Sequence, residues 1–281
     1  MVDEWWEWFG DEGIATDRKG FIGKLIAGYD SVLEIPAKAV FDGVIAISNT
    51  LKSRLNSASN VIVLNGGAEC DKFIAYDRNV ARQKVNLPSD IFIVGMSNVS
   101  KDDHDDNLPF FEALGKLSKS YSHLRLLVTG DPKYVQSALK PLFPPNLLID
   151  CGWPDFESYN RFLSACDIFG LPYPDRPRNA GRWPNKIGDY LSLNRPVITN
   201  PTGDVGVLFN DYVLGFLCGN TTEDYTRLVS DIVQNRDKMA AADFESRKVA
   251  KELLSFPKRV NRILSFYESI LASSRTGWSV E

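Results

Sequence analysis

The sequence predicts an α/β fold, a parallel β-sheet buried on both faces and flanked by helices. Three observations predict it. From about residue 40 onward, short apolar and β-branched runs alternate with segments of helical periodicity. The runs are continuous rather than alternating apolar with polar, the mark of strands covered on both faces. Most of them end at glycine, proline or asparagine, which terminate regular structure.

In order, residues 43–48 (GVIAIS) form the first strand and NTLKSRL a helix. Residues 61–64 are the next strand, closed by the turn Asn65-Gly66-Gly67. A strand over 91–94 ends at Gly95, and a helix over 107–120 carries Leu108, Phe111, Leu114 and Leu117 at spacings of three. A strand over 124–128 runs into Thr129-Gly130-Asp131, and one over 147–149 ends near Gly152. A helix over 157–166 leads to a strand over 168–171 and then to Pro172-Tyr173-Pro174. A helix over 185–193, a strand over 196–199 and a last strand over 214–217 follow. Residues 222–273 are mostly helical with a break near Phe256-Pro257. Parallel sheets bind ligands beyond the carboxyl ends of their strands, so Gly95, Gly130, Gly152 and the segment after Leu171 are where a site is expected.

Composition narrows the function classes. The 281 residues are 44% apolar or aromatic, enough for a core and against disorder. The 32 basic and 36 acidic residues, net −4, argue against nucleic acid as a partner. No run approaches the roughly 18 apolar residues of a membrane span. Met1 is followed by Asp3, Glu4 and three tryptophans, with neither the basic nor the apolar part of a secretory signal, so none is expected. Cys70, Cys151, Cys166 and Cys218 fit no zinc or C-x-x-C spacing. Free thiols in a reducing, cytoplasmic compartment are the expectation. Trp5–Phe9 has a membrane-interface reading, but Glu4 and Glu7 interrupt the rings, and packing at the domain surface is expected.

The patterns G-x-x-x-x-G-K-[ST] and G-x-G-x-x-G are both absent. What remains is the glycine turn at Gly95, followed by Ser97, Asn98 and Lys101, where backbone can approach a ligand and a lysine can neutralise phosphate. The acidic stretch Asp102 to Asp106 has the oxygen ligands for a hard cation, and a metal-dependent transferase would use Asp103 and Asp105. Acids also suit a helix N-terminus, and capping is the expectation here. The densest segment is 174–200, with Arg182 and Lys186 near a helix N-terminus that suits an anion. Asp189 stands one turn inside that helix, where its carboxylate can accept two hydrogen bonds from a ribose diol or simply compensate the helix dipole.

In this segment Pro184-Asn185-Lys186-Ile187-Gly188-Asp189-Tyr190-Leu191, followed by Asn194-Arg195-Pro196-Val197-Ile198, resembles the donor region of GT-B-fold retaining glycosyltransferases. The similarity is to the group with glycogen synthases and bacterial mannosyl- and glucosyltransferases. Further landmarks recur in the family's order. They are Ile45 to Ser48 with Leu51, Val63 to Gly67, Val94-Gly95 with Lys101, Val128 to Asp131, and Gly152 with Tyr159 and Ala165 to Asp167. Asp3-Glu4-Trp5-Trp6 resembles an acid–tryptophan segment late in the family's first domain.

The resemblance implies a Rossmann-like doubly wound parallel sheet of the GT-B C-terminal type, with a partial N-terminal domain. It divides the chain into an acceptor-side part over 1–60, a donor-binding domain over 61–255 and a helix over 256–281 that returns toward the N-terminal part. By carry-over, Asp189 is the family's second E-x7-E acid and holds the ribose, and Lys101 meets the donor diphosphate. Gly95, Gly130 and Gly152 lie on turns around the nucleotide, and Asn98 stands where the family has an arginine. The family's first acid falls at Gly181, so that Arg178, Asn179 or Arg182 would contact the donor there. The implied function is sugar transfer, with retention, from a nucleotide-diphosphate sugar to a glycan or lipid-linked acceptor, as in polysaccharide biosynthesis, without metal or resident cofactor. The short first domain and Gly181 support an alternative, a non-catalytic nucleotide-sugar-binding domain, and a partner chain supplying the missing half. Peripheral membrane association fits a lipid-linked acceptor.

Overall fold

The computed structural model describes residues 2–5, 41–55 and 60–276. Most of the expected partial domain over 1–60, and of the segment Trp5–Phe9, lies outside the described residues. Two parallel sheets make up the rest. The small one has the order β1 (Val2–Trp5), β2 (Gly43–Ala46), β3 (Val61–Val63). The residue-60 boundary of the sequence reading therefore falls between two strands of one sheet.

The large sheet holds β4 (Phe92–Val99), β5 (Leu124–Gly130), β6 (Leu148–Asp150), β7 (Ile168–Leu171), β8 (Val197–Thr199) and β9 (Gly215–Leu217). Their order across the sheet is β6-β5-β4-β7-β8-β9, and every pair is parallel. The chain therefore walks outward in one direction from β4 and in the other from β7. The reversal point lies between β4 and β7, where the loops above the sheet must diverge.

Continuous apolar strands fill both faces. Ile93, Leu127, Phe169 and Val197 face one core with α4 (Phe156–Ser164) and α6 (Lys186–Ser192). Val94, Leu126, Ile168 and Ile198 face the other with α3 (His104–Leu117) and α8 (Thr222–Gln234). Among the shorter helices of the frame are α1 (Asn49–Arg54), α2 (Arg78–Lys84), α5 (Pro177–Gly181) and α7 (Gly203–Asp211). The last, α9 (Phe256–Thr276), starts after the extended Ser255, which pairs with Ala68. Pro257 sits in its first turn, where its missing N–H costs nothing.

The expected strand over 91–94 differs from the observed one. β4 continues through Gly95 to Val99: β7 pairs with it at Val94 and Gly95, and β5 pairs as far as Met96 and again at Val99 across an irregularity. Gly95 is mid-strand and not in a turn. A Cβ there would lie 2.6 Å from the Cys166 sulfur and 2.9 Å from the Phe169 ring, so glycine serves packing at this position. The helix expected from 107 begins at His104, after a 3-10 turn over Lys101–Asp103, so Asp102 and Asp103 lie in that turn and Asp105 and Asp106 in the helix's first turn.

The bases of β4 and β7 are bonded through Asp167. Its carboxylate accepts from the Ile93 N–H at 2.7 Å and from Arg82 at 2.6 Å, and it pairs with Arg78. Arg82 and Asp167 are both buried. Arg82 also donates to the Ala165 and Ser89 carbonyls, so α2 is anchored to the sheet by a satisfied charge network.

The small sheet shares a core with the large one, through Val44, Ala46 and Ile47, and further contacts tie it in place. Asp204 of α7 accepts from the Asn49 backbone at 3.0 Å and from the Asn65 amide at 2.8 Å. The Ser48 hydroxyl donates to the Gly181 carbonyl at 2.9 Å. Helix α9 lays Phe266 and Ile270 on Ile45 and Leu64. Among the described residues no helix is long and apolar enough to cross a membrane. All four cysteines are unpaired.

Removing one partner of a buried ion network leaves uncompensated charge. The substitution Asp167→Ala is expected to cost about 3–5 kcal/mol of unfolding free energy, because Arg82 and Arg78 lose their counter-ion. A urea titration checks this, and a loss below 1 kcal/mol would show that the pair does not anchor the sheet.

Candidate functional site

A cleft of about 690 Å³ opens above the reversal point, a size that suits a small-molecule ligand. Its floor is the carboxyl ends of β4 and β7, at Ser97, Asn98 and Leu171. One wall is α6 with the segment before it, which brings Arg182, Lys186 and Asp189. The opposite wall is the N-terminus of α3, with Asp103, Asp106 and Asn107. The turn after β3 (Gly66, Gly67, Glu69) and the start of α9 (Phe256, Arg259) close it from the small-sheet side.

Of the residues singled out from sequence, Asn98, Arg182, Lys186 and Asp189 meet in this cleft. Lys101 is exposed at the start of the 3-10 turn, outside the cleft wall. Gly95 is buried in the sheet. Gly130 and Gly152 do stand at strand ends, with φ of 142° and 56°, and the Gly130 N–H donates to the Gly152 carbonyl at 2.8 Å. They sit one and two strands away from β4, next to the cleft rather than in its wall. Arg178 and Asn179 turn inward, toward Asp106. The carbonyl of Gly181 is occupied by Ser48.

Several wall residues were not legible as site residues. The Tyr190 hydroxyl accepts from the Ser97 N–H at 2.8 Å and meets its hydroxyl at 3.1 Å. The ring of Tyr190 stacks on Phe169 with centroids 4.0 Å apart. This holds the end of β4 so that Asn98 turns over with φ 50°. Burial pushes the Tyr190 phenol up, so it stays protonated. Trp183 is buried with no partner for its indole N–H and lines the cleft. Gly66 faces it so closely that a Cβ would lie 2.3 Å from the indole. The Asn65-Gly66-Gly67 turn signal was the one clue to this side of the site.

Two charged arrangements define what the cleft can do. Lys186 pairs with Asp103 of the opposite wall at 3.2 Å, both part-exposed, so the lysine is held in the cleft by an exchangeable partner. Arg182 donates to the Asn179 side chain at 2.9 Å. Asp189 is different. Among the described residues its single side-chain partner is the Tyr159 hydroxyl at 2.8 Å. Burial raises its carboxyl to about 6, with Tyr159 opposing the shift and Glu69 adding to it. A carboxylate kept short of hydrogen bonds in a cleft is suited to accept them from a ligand's hydroxyls. Asp106, by contrast, has two arginine counter-ions, Arg176 and Arg178, and accepts from the Asn179 amide. Among the described residues no group of three His, Cys, Asp or Glu side chains gathers as for a metal ion.

No protein-family model matches this sequence, and no curated protein sequence is significantly similar to it. Solved structures do match. Sucrose-phosphate synthase from Thermosynechococcus elongatus superposes with a TM-score of 0.73 at 16% identity, over 97% of this chain and 68% of that one. A glycosyltransferase from Rickettsia africae gives 0.64 at 19% identity, over 82% and 63%. HepE of Anabaena, solved with UDP and glucose, gives 0.66 at 16% identity, over 83% and 65%. The chain thus spans about two thirds of the length of these structures. Its fold is the GT-B glycosyltransferase fold, and its large sheet is the Rossmann-like α/β sheet expected from sequence.

The raised Asp189 carboxyl carries a stability consequence. The native state holds the proton more tightly than the unfolded chain, so the contribution is present below about pH 4 and is lost as pH rises through about 6. At pH 7.5 the ionised group costs on the order of 1–3 kcal/mol. Asp189→Asn is therefore expected to raise the melting temperature at pH 7.5 and to have a much smaller effect near pH 4. Equal effects at the two pH values would contradict the assigned cause.

Proposed function

We propose that the chain binds a nucleotide-diphosphate sugar and transfers its sugar, with retention, to a glycan or lipid-linked acceptor. The observation that carries this reading is the cleft at the strand reversal, where Lys186, Arg182 and Asp189 converge from one wall. Asp189 and Tyr159 offer the ribose its hydrogen bonds. Lys186, released from Asp103, neutralises the diphosphate. In transfer, charge builds on the departing diphosphate, and a cation already in place stabilises it without reorganisation. Such a donor half needs no side-chain nucleophile. The fold supports a sugar transferase, and the similarity of residues 184–198 to the retaining group supports retention.

The donor domain in this reading runs over 61–255, with α9 returning to the small sheet. It needs no metal or resident cofactor. The setting is cytoplasmic polysaccharide biosynthesis, with membrane association through the acceptor and with the remaining acceptor contacts coming from 1–60 or a partner chain.

Thermal shift against UDP, GDP and ADP is the first test. One of them is expected to raise the melting temperature in a concentration-dependent way. Lys186→Ala is expected to weaken that nucleotide about tenfold or more, while Lys101→Ala changes it little. No shift with any nucleoside diphosphate would overturn the reading. Radiolabelled sugar release or transfer by the purified chain then separates a transferase from a binding domain.

A further inference from the structure

We infer that Asn107, on the α3 wall, reads the sugar of the donor. The inference rests on the donor reading above. Asn107 is 3% exposed, and its amide nitrogen has no hydrogen-bond partner among the described residues, yet it lines the cleft. A buried amide left unpaired is costly, and the observed neighbours do not relieve it. Its neighbour Asp106 pairs with Arg176 and Arg178 and accepts from Asn179, which ties the helix start to the segment after β7. The carboxamide is thus a fixed polar group aimed into the cleft with nothing to bind but a ligand.

Its place along the cleft identifies the ligand group. Asp189 sits on α6, which packs on one face of the sheet, and Asn107 on α3, which packs on the other. A ligand lying across the carboxyl edge of the sheet runs from Asp189, over Ser97 and Asn98 and under Lys186, to Asn107. With the ribose at Asp189 and the diphosphate at Lys186, the group reaching Asn107 is the sugar. A carboxamide offers a donor and an acceptor side by side, the complement of a hydroxyl.

The test compares nucleotides with and without the sugar. Wild type, Asn107→Leu and Asn107→Ala are titrated by calorimetry with UDP and UDP-glucose, and with GDP and GDP-mannose. In the pair that binds, both variants are expected to lose ~10-fold in affinity for the nucleotide sugar and to keep the free diphosphate within about twofold. Without ligand, Asn107→Leu is expected to melt no lower than wild type, because it removes an unpaired buried amide. Equal losses for diphosphate and nucleotide sugar, or no loss for either, would overturn the inference while leaving the donor reading intact. So would a marked fall in melting temperature for both unliganded variants, the result of a purely structural role. A wild type that binds neither member of either pair overturns the donor reading, and with it the role of Asn107.

Discussion

The carboxylate of Asp167 is the interaction on which the rest of the large sheet depends. It sits at the base of β7, accepts from the Ile93 N–H of β4, and holds two arginines of α2. Its own N–H donates to the Ile93 carbonyl at 2.9 Å. β4 and β7 are far apart in sequence, and their pairing is the point at which strand order reverses. A buried charge is tolerated only when fully partnered, so this one specifies a single geometry. With the amino ends of the two strands fixed, their carboxyl ends send the α3 and α5–α6 segments apart, and the cleft is the space between them.

The cleft then makes demands that run against stability. Asp189 is held with one hydroxyl partner, Trp183 and Asn107 with unpaired donors, and Asn98 in a left-handed backbone conformation. Each costs free energy in the unliganded protein, and they gather in one place. Stabilising features surround them: the Tyr190–Phe169 stack, the Asp204 junction to the small sheet, and the apolar contact of α9 with β2 and β3. Helix α9 has two tasks. Its buried stripe covers the small sheet, and its first turn supplies Phe256 and Arg259 to the cleft.

Much of the fold was legible because strand and helix signals are local. The runs at 168–171 and 124–128 are apolar on both faces, and the turns after them carry glycine or proline. Where the reading failed, local signals conflicted with tertiary ones. Gly95 looked like the end of a strand, and polar Ser97 and Asn98 looked like loop. Pairing with β5 resumes beyond them at Val99, and Tyr190 accepts from the Ser97 N–H. Lys101 was chosen by its distance from Gly95. Since the strand runs four residues further, that lysine emerges outside the cleft, whereas Lys186, from a distant segment, lines it. Arg178 looked free to meet a ligand, yet its charge is used by Asp106.

By itself the sequence determined a parallel α/β sheet, its approximate strands, and a basic, proline-rich segment leading to Asp189 as the richest part of the chain. Those follow from hydrophobic periodicity and turn chemistry, which act over a few residues. Only the tertiary structure decided the strand order, and with it which residues face one another across the cleft. Nothing local distinguishes a chain that turns left after β6 from one that turns right. That choice is made by long-range packing and by Asp167. Asn107, Tyr159, Trp183 and Asp189 become a site only because that order brings the two faces of the sheet together along its carboxyl edge.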